Sequence, residues 1–166
     1  QWEGVPQVGF FLFHGGVFGL DECLYLIPRS ASRVMRFDPS TKQYAEIGDD
    51  LGDAALKWSV GVLCDDECIY ALPSKATRVL RIDPAKGTAA PYGDDLTTLG
   101  CRVGWRDTIK GPDGKLYGVP CESTAVLCFD PVTGEASAFG DARDGSVQAF
   151  SSGGQRYCGG VLAPDG

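Results

Sequence analysis

The residues of this chain with the widest chemical reach are seven cysteines, a single histidine, recurring acidic pairs and a set of loop arginines and lysines. Cys64 and Cys68 stand close together, while Cys101, Cys121, Cys128 and Cys158 are scattered. Zinc sites use paired Cys-x-x-Cys spacings, and none occurs, so the expectation is buried or free thiols, with Cys64 and Cys68 the pair to test for a disulfide. A Ser-His-Asp triad would have to use His14, and no Gly-x-Ser-x-Gly elbow accompanies it, so a structural histidine is expected. Asp49-Asp50 and Asp94-Asp95 recur, with Asp141 alone at the third equivalent place. Calcium needs several oxygens converging on one point, and these pairs belong to successive units, so turn capping is the expected role. No catalytic residue, metal site or cofactor is expected. The candidate binding residues are Arg29 and Arg33, then Lys75 and Arg78, then Glu122 beside Ala125.

The elements that position these residues repeat. Cys23-Leu24-Tyr25-Leu26-Ile27-Pro28 returns as Cys68-Ile69-Tyr70-Ala71-Leu72-Pro73 and as Lys115-Leu116-Tyr117-Gly118-Val119-Pro120. The tyrosines are 45 and 47 residues apart. Each proline is followed by a hydrophobic-Asp-Pro, namely Phe37-Asp38-Pro39, Ile82-Asp83-Pro84 and Phe129-Asp130-Pro131. An apolar residue and glycine close each unit as Ile47-Gly48, Tyr92-Gly93 and Phe139-Gly140. Upstream of each tyrosine stands an aromatic, Phe13, Trp58 or Trp105, and the series continues at Tyr157, where Val161 to Gly166 matches Ile109 to Gly114.

Each unit reads as four strands. In the second copy they run from Trp58 to Leu63, Cys68 to Leu72, Arg78 to Ile82 and Thr88 to Tyr92. Pro112-Asp113-Gly114 marks the first hairpin, since proline presets φ and glycine accepts φ above zero. Asp83-Pro84-Ala85-Lys86-Gly87 and Asp130-Pro131-Val132-Thr133-Gly134 read as turns closed by a left-handed glycine, and the first copy, with Gln43 near this point, reads as a looser turn. Gly16, Gly61 and Gly160 share one position on the first strand, where Thr108 is bulkier. No stretch between turn signals accommodates two packed helices. Four strands in about 45 residues is the period of a propeller blade.

The motif of aromatic, Gly-Val-Leu, Asp-Gly, Ile-Tyr-x-Ile-Pro, Val-Leu-x-Ile-Asp-Pro-x-Thr-Gly and Gly-Asp-Asp-Leu resembles tandem β-propeller repeats of algal and protist proteins, and more loosely kelch-like and NHL-like propellers. The Gly-His and Trp-Asp signatures of WD40 blades are absent from the copies. The expected fold class is therefore all-β, a propeller with three complete four-stranded blades at about 13–57, 58–104 and 105–156. A partial blade at 157–166 and the segment 1–12 suggest one repeat region within a longer array. Propellers serve as scaffolds, lectins and enzymes alike, so the resemblance carries architecture and leaves activity open.

Composition narrows the setting. Against 22 Asp+Glu there are 15 Lys+Arg, a formal charge of −7 over 166 residues with 43% apolar content. An acidic balance disfavours nucleic acid and anionic lipid as partners, and no apolar run is long enough to span a bilayer. There is no asparagine, which excludes N-linked glycosylation within this stretch, and no initiator methionine or leader, so a processed product or a piece of a longer protein is expected. The leading reading is a non-catalytic module that binds a protein partner or further blades of the same polypeptide. One alternative is a lectin-like or small-ligand-binding propeller that uses the faces of Phe13, Trp58, Trp105 and Tyr157. Another is a metal-dependent hydrolase or lactonase, for which Asp107 is the acidic residue on an inner strand.

Overall fold

The hairpin signals of the three complete units become hairpins in the computed structural model, which describes residues 11–101 and 103–140. The first sheet takes β1 (Phe13–Phe18), β2 (Leu24–Pro28), β3 (Val34–Asp38) and β4 (Gln43–Ile47). The second takes β5 (Trp58–Leu63), β6 (Ile69–Pro73), β7 (Val79–Asp83) and β8 (Thr88–Tyr92). The third takes β9 (Trp105–Lys110), β10 (Leu116–Pro120), β11 (Val126–Phe129) and β12 (Ala136–Phe139). Each sheet is an antiparallel meander in chain order. The first strands β1, β5 and β9 pack against one another in sequence, so they form the inner layer of a stack of blades. The only helical element among the described residues is one 3₁₀ turn, Leu96–Leu99.

The first hairpins share one device. Glu22, Glu67 and Gly114 sit at φ of 60°, 65° and 78°, and the aspartate just before each holds the turn. Asp21, Asp66 and Asp113 accept the backbone N–H two residues on, at 3.3, 3.2 and 3.2 Å. Their second oxygens accept the hydroxyls of Tyr25, Tyr70 and Tyr117 at 2.9, 2.8 and 2.8 Å. One carboxylate thus ties a turn to the strand that follows it. In the second hairpins, Asp38, Asp83 and Asp130 take backbone N–H groups of the turn through one oxygen. The first copy is not looser, contrary to the expectation from Gln43. Lys42 adopts φ 59° where Gly87 and Gly134 have 64° and 78°, so a lysine fills the left-handed position and the turn keeps its shape.

The core lies between sheets. Cys23, Tyr25, Ile27 and Val34 of the first sheet pack on Trp58, Ile69, Ala71, Leu80, Ile82 and Ala89 of the second. Cys68, Tyr70, Leu72 and Val79, from the second sheet's other face, pack on Trp105, Leu116, Leu127 and Phe129 of the third. Side chains alternate across a strand, so β6 sends Ile69 and Ala71 one way and Tyr70 and Leu72 the other, and all five of its residues are buried. The repeat position predicts burial for all three tyrosines, and it holds for Tyr25 and Tyr70, at 0% and 1% exposed. Tyr117 is only half-buried, because it projects from the far face of the third sheet, where no described sheet packs. Thr108, bulkier than its counterparts, is buried and bonds the second sheet, giving its hydroxyl to Val60 O at 2.8 Å and accepting Leu72 N at 3.3 Å.

Glycine closes the gap between sheets. Gly48 and Gly93 sit at φ 77° and 78°, and the residue after each donates its N–H to the next sheet, Asp49 to Ala89 O and Asp94 to Gly134 O, both at 2.9 Å. A Cβ on Gly48 would lie 2.4 Å from that of Ala89, and one on Gly93 2.5 Å from Gly134 O. The Asp94 carboxylate also accepts Ala136 N at 3.0 Å, fastening the second sheet to the outermost strand of the third. The expectations at Phe10, Asp141, Tyr157, Cys158, Gly160 and Val161 to Gly166, the partial blades included, lie outside the described residues.

These contacts separate two kinds of glycine. Gly140 has φ 67° and open space where a methyl would stand, with nothing within 4 Å, whereas Gly93 has the next sheet against it. Gly93→Ala is expected to cost about 3 kcal/mol in urea unfolding, from a left-handed alanine and overpacking together. Gly140→Ala should cost about 1 kcal/mol, the conformational part alone. Equal losses would show that close packing between sheets is not what Gly93 provides.

Candidate binding face

Meander topology sorts the loops into two ends. The β2–β3, β6–β7 and β10–β11 loops share one end with the links from one sheet to the next, and the first and second hairpins of each sheet share the other. At the loop end, three successive backbone N–H groups close on one carbonyl in every sheet. Arg29, Ser30 and Ala31 bond Leu12 O at 2.9 to 3.1 Å, Ser74, Lys75 and Ala76 bond Lys57 O at 2.9 to 3.2 Å, and Cys121, Glu122 and Ser123 bond Gly104 O at 2.9 to 3.0 Å. The loop backbones are therefore held alike, and their side chains differ.

The candidate residues divide on this frame. Arg33 and Arg78 hold equivalent positions and lie back along their own blades, each donating from Nη1 to the carbonyl of the closing glycine, Gly48 or Gly93. Arg33 also lies 4.0 Å from Glu46. Each arginine fastens the start of a third strand to the end of the fourth, so within the blade it has a structural role; Ala125 stands at this place in the third sheet. Lys75 is exposed, Glu122 is partly buried, and Arg29 is partly buried with its guanidinium carbon 5.7 Å over the ring of Phe11. Lys57, missed by the sequence reading, is 4% exposed and donates its ammonium to Gly52 O and Ala54 O at 2.8 and 3.0 Å. Burial lowers its pKa, with Asp53 and Asp50 opposing.

His14, Ser59 and Arg106 hold one position on the first strands, each directly after the aromatic. Burial comes first in lowering the His14 pKa, followed by the positive charges of Arg29 and Arg106, with Asp107 opposing them. The atoms His14 Nδ1, Arg29 Nε and Thr124 Oγ1 are buried and have no hydrogen-bond partner among the described residues. His14 and Arg106 share this repeat position on the first and third inner strands, with β5 packed against both β1 and β9. Trp58 and Trp105 point into the core, 3% and 0% exposed, with their indole N–H groups on Arg78 O and Ala125 O at 2.9 Å.

The hairpin end carries the other polar set. Arg36 and Arg81 donate from Nε to the hydroxyls of Tyr25 and Tyr70 at 3.3 and 3.1 Å, and Cys128 pairs with Tyr117 in their place. Two equivalent grooves open between neighbouring hairpins, about 520 Å³ beside Asp21, Asp66, Arg81 and Lys86 and about 430 Å³ beside Asp65, Asp66, Asp113 and Asp130. Lys110 pairs with Asp65 across the second of these junctions. Cys64 and Cys68 are free thiols, and burial pushes their pKa values up to about 12 and about 11. Neither is an activated nucleophile. Among the described residues, no three or more His, Cys, Asp or Glu side chains are grouped to hold a metal, and no helix is long and apolar enough to cross a membrane.

No family model and no curated protein matches this sequence. Solved structures do match. A streptogramin B lyase superposes with a TM-score of 0.63 at 16% identity, over 82% of this chain and 42% of its own. A catalytically inactive virginiamycin B lyase from Staphylococcus aureus with quinupristin gives 0.60 at 16%, over 76% of this chain and 40% of its own. A proposed 6-phosphogluconolactonase from Bacteroides uniformis gives 0.52 at 20%, over 77% of this chain and 40% of its own. The fold is a β-propeller. The chain spans about two-fifths of the length of these structures, and at these identities the likeness is one of fold.

The turn aspartates make a pH prediction. Ser40 first, then Thr41, holds the Asp38 carboxyl down at about 2. Lys86 lowers Asp83, Tyr117 lowers Asp113 and Thr97 lowers Asp95, each by hydrogen bonding first. A carboxylate with a depressed folded pKa stabilises fully above its unfolded value, here 3.8, and that contribution is lost as pH falls through the folded one. Thermal unfolding should therefore be insensitive to these groups above about pH 5 and weaken between about pH 4 and pH 2. Stability that stays level down to pH 2 would show that the turn carboxylates do not favour the fold.

Proposed function

We propose that the chain is a non-catalytic β-propeller module that docks a protein partner on its loop end, as a unit of a larger assembly. The observation that carries this reading is the repeated clasp of three N–H groups on Leu12, Lys57 and Gly104 carbonyls, which holds the loops in one geometry while their side chains change from Arg29 to Lys75 to Glu122. Variable side chains on a fixed frame are how a scaffold acquires specificity. Arg29 and Lys75 give two neighbouring blades a basic edge, which favours an acidic segment of the partner. Arg33 and Arg78 belong to this face as the residues that hold its frame.

The proposal includes the repeat region as one domain, with blades at about 13–57, 58–104 and 105–156 and a partial blade at 157–166, continued by further blades of the same polypeptide. The kelch-like and protist affinity of the motif is part of it. The lectin-like alternative loses two of its four aromatic faces, since Trp58 and Trp105 are buried in the core. The lactonase alternative draws on the fold of one structural neighbour and on Asp107, and a metal-dependent hydrolysis assay tests it.

Lysine cross-linking in native extract, read by mass spectrometry, addresses the docking face. Lys75 lies at the loop end, and Lys42 and Lys86, equally exposed, lie in hairpins at the other. Links from a single partner are expected at Lys75, and Arg29→Glu with Lys75→Glu should weaken that partner's binding by about tenfold or more. Links at Lys42 and Lys86 with none at Lys75 would place docking at the wrong end for this reading.

A further inference from the structure

The geometry points to a carboxylate-binding site at the loop end of the inner strands, formed by His14 with Arg29 and Arg106. This deepens the reading of that end as the recognition face and rests on it. Three observations converge. First, β1, β5 and β9 are packed in series, and His14, Ser59 and Arg106 occupy the same position along them, so the inner strands bring a blade 1 imidazole and a blade 3 guanidinium to one end of the stack. Secondly, Phe13 on β1 pairs with Pro28 on β2 and Arg29 N bonds Leu12 O at 2.9 Å, so His14 and Arg29 lie beside each other at that end, where the charges of Arg29 and Arg106 lower the His14 pKa and Asp107 raises it; the Asp107 carboxylate already accepts Thr108 N at 2.9 Å. A concentration of positive charge is unexpected in a chain of net charge −7.

Thirdly, His14 Nδ1 and Arg29 Nε are buried atoms without a hydrogen-bond partner among the described residues. Buried polar atoms in folded proteins are nearly always paired, so two orphans on neighbouring side chains call for an occupant. Arg29 Nε can only donate, and the imidazole Nδ1 donates when it carries the proton. A group that accepts without donating satisfies both, and an ionised carboxylate is such a group. The planar guanidinium suits a carboxylate by its fork of parallel donors. Phe11 covers the Arg29 guanidinium at 5.7 Å and orients it. The arginines of the frame behave differently, since Arg33 and Arg78 are each bonded to a carbonyl. An acidic side chain or C-terminus of the partner would supply the carboxylate.

His14 is the single histidine of the chain, so its imidazole gives one assignable set of NMR signals. The experiment titrates His14 from pH 4.5 to 8.5 in a chloride background, with and without succinate, and in a separate arm with inorganic phosphate. Without ligand, the midpoint should lie below the ordinary 6.5. Succinate should raise it, because an anion between the arginines favours the protonated ring, and by the same linkage succinate should bind more tightly at pH 5 than at pH 8. Arg106→Gln should raise the midpoint without ligand while weakening succinate binding by about tenfold or more. Lys42→Gln, which removes an exposed positive charge from the β3–β4 hairpin at the opposite end, should leave the succinate response intact. Neither ligand moving the His14 signals would overturn the site, and a response to phosphate with none to succinate would overturn the carboxylate assignment. Because the readout needs no partner protein, a positive titration with cross-links absent from Lys75 would overturn the docking reading and leave the site standing.

Discussion

A blade of this protein cannot bury itself. Each sheet is one layer of four short strands, and its apolar residues face another sheet or they face water. Both core clusters lie at junctions, one between the first and second sheets and one between the second and third. The junction is therefore the unit of stability, as in other repeat proteins, where neighbour interfaces carry what single repeats lack. The close approach at Gly48 and Gly93, the bonds from Asp49 and Asp94, and the Thr108 hydroxyl on Val60 O all serve that one contact. The large apolar side chains left exposed belong to the outer sheets or precede them, Phe11, Phe18 and Leu20 at one end and Val132 and Phe139 at the other.

The meander and its turns were legible because the determinants are local. Aspartate, proline and glycine at fixed offsets specify hairpins, and the period-two alternation in Ile69-Tyr70-Ala71-Leu72 specifies a strand covered on both faces. The errors arose where a residue was judged by type. Lys42 closes a turn that glycine closes elsewhere, because the hairpin imposes the left-handed position and lysine tolerates it at a surface. Thr108 reads as too large for its place, yet it replaces packing with two hydrogen bonds to the neighbouring sheet. Tyr117 matches Tyr25 and Tyr70 in sequence and differs in burial, because burial belongs to the neighbour as much as to the motif.

The placement of the candidate residues was legible in part. Arg29, Arg33, Lys75, Arg78 and Glu122 do fall at one end, as loop equivalence predicts, but equivalence alone does not say which side chains fold back. Arg33 and Arg78 fold back onto their own blades, because the glycine carbonyl at the end of the fourth strand lies within their reach. His14 and Arg106 share a repeat position in the sequence, directly after the aromatic, but that equivalence alone does not bring their charges together. The two are 92 residues apart on different blades, and only the packing of β1, β5 and β9 in series puts them at the same end. Lys57 escaped notice for the same reason, since its acceptors are backbone carbonyls of a link with no motif.

If stability resides in the junctions, protection of the backbone must follow the number of covered faces. Native-state hydrogen exchange reports this strand by strand. The amides of β6 and β7, in the sheet with neighbours on both faces, should exchange most slowly and share one opening free energy. Those of β3 and β11, with one covered face each, should open at lower cost, and β4 and β12, at the outer edges of the end sheets, should be the first to exchange. Equal protection of the third strand in all three sheets, or greater protection of β3 than of β7, would contradict the account, because it would mean that each blade is stable by itself.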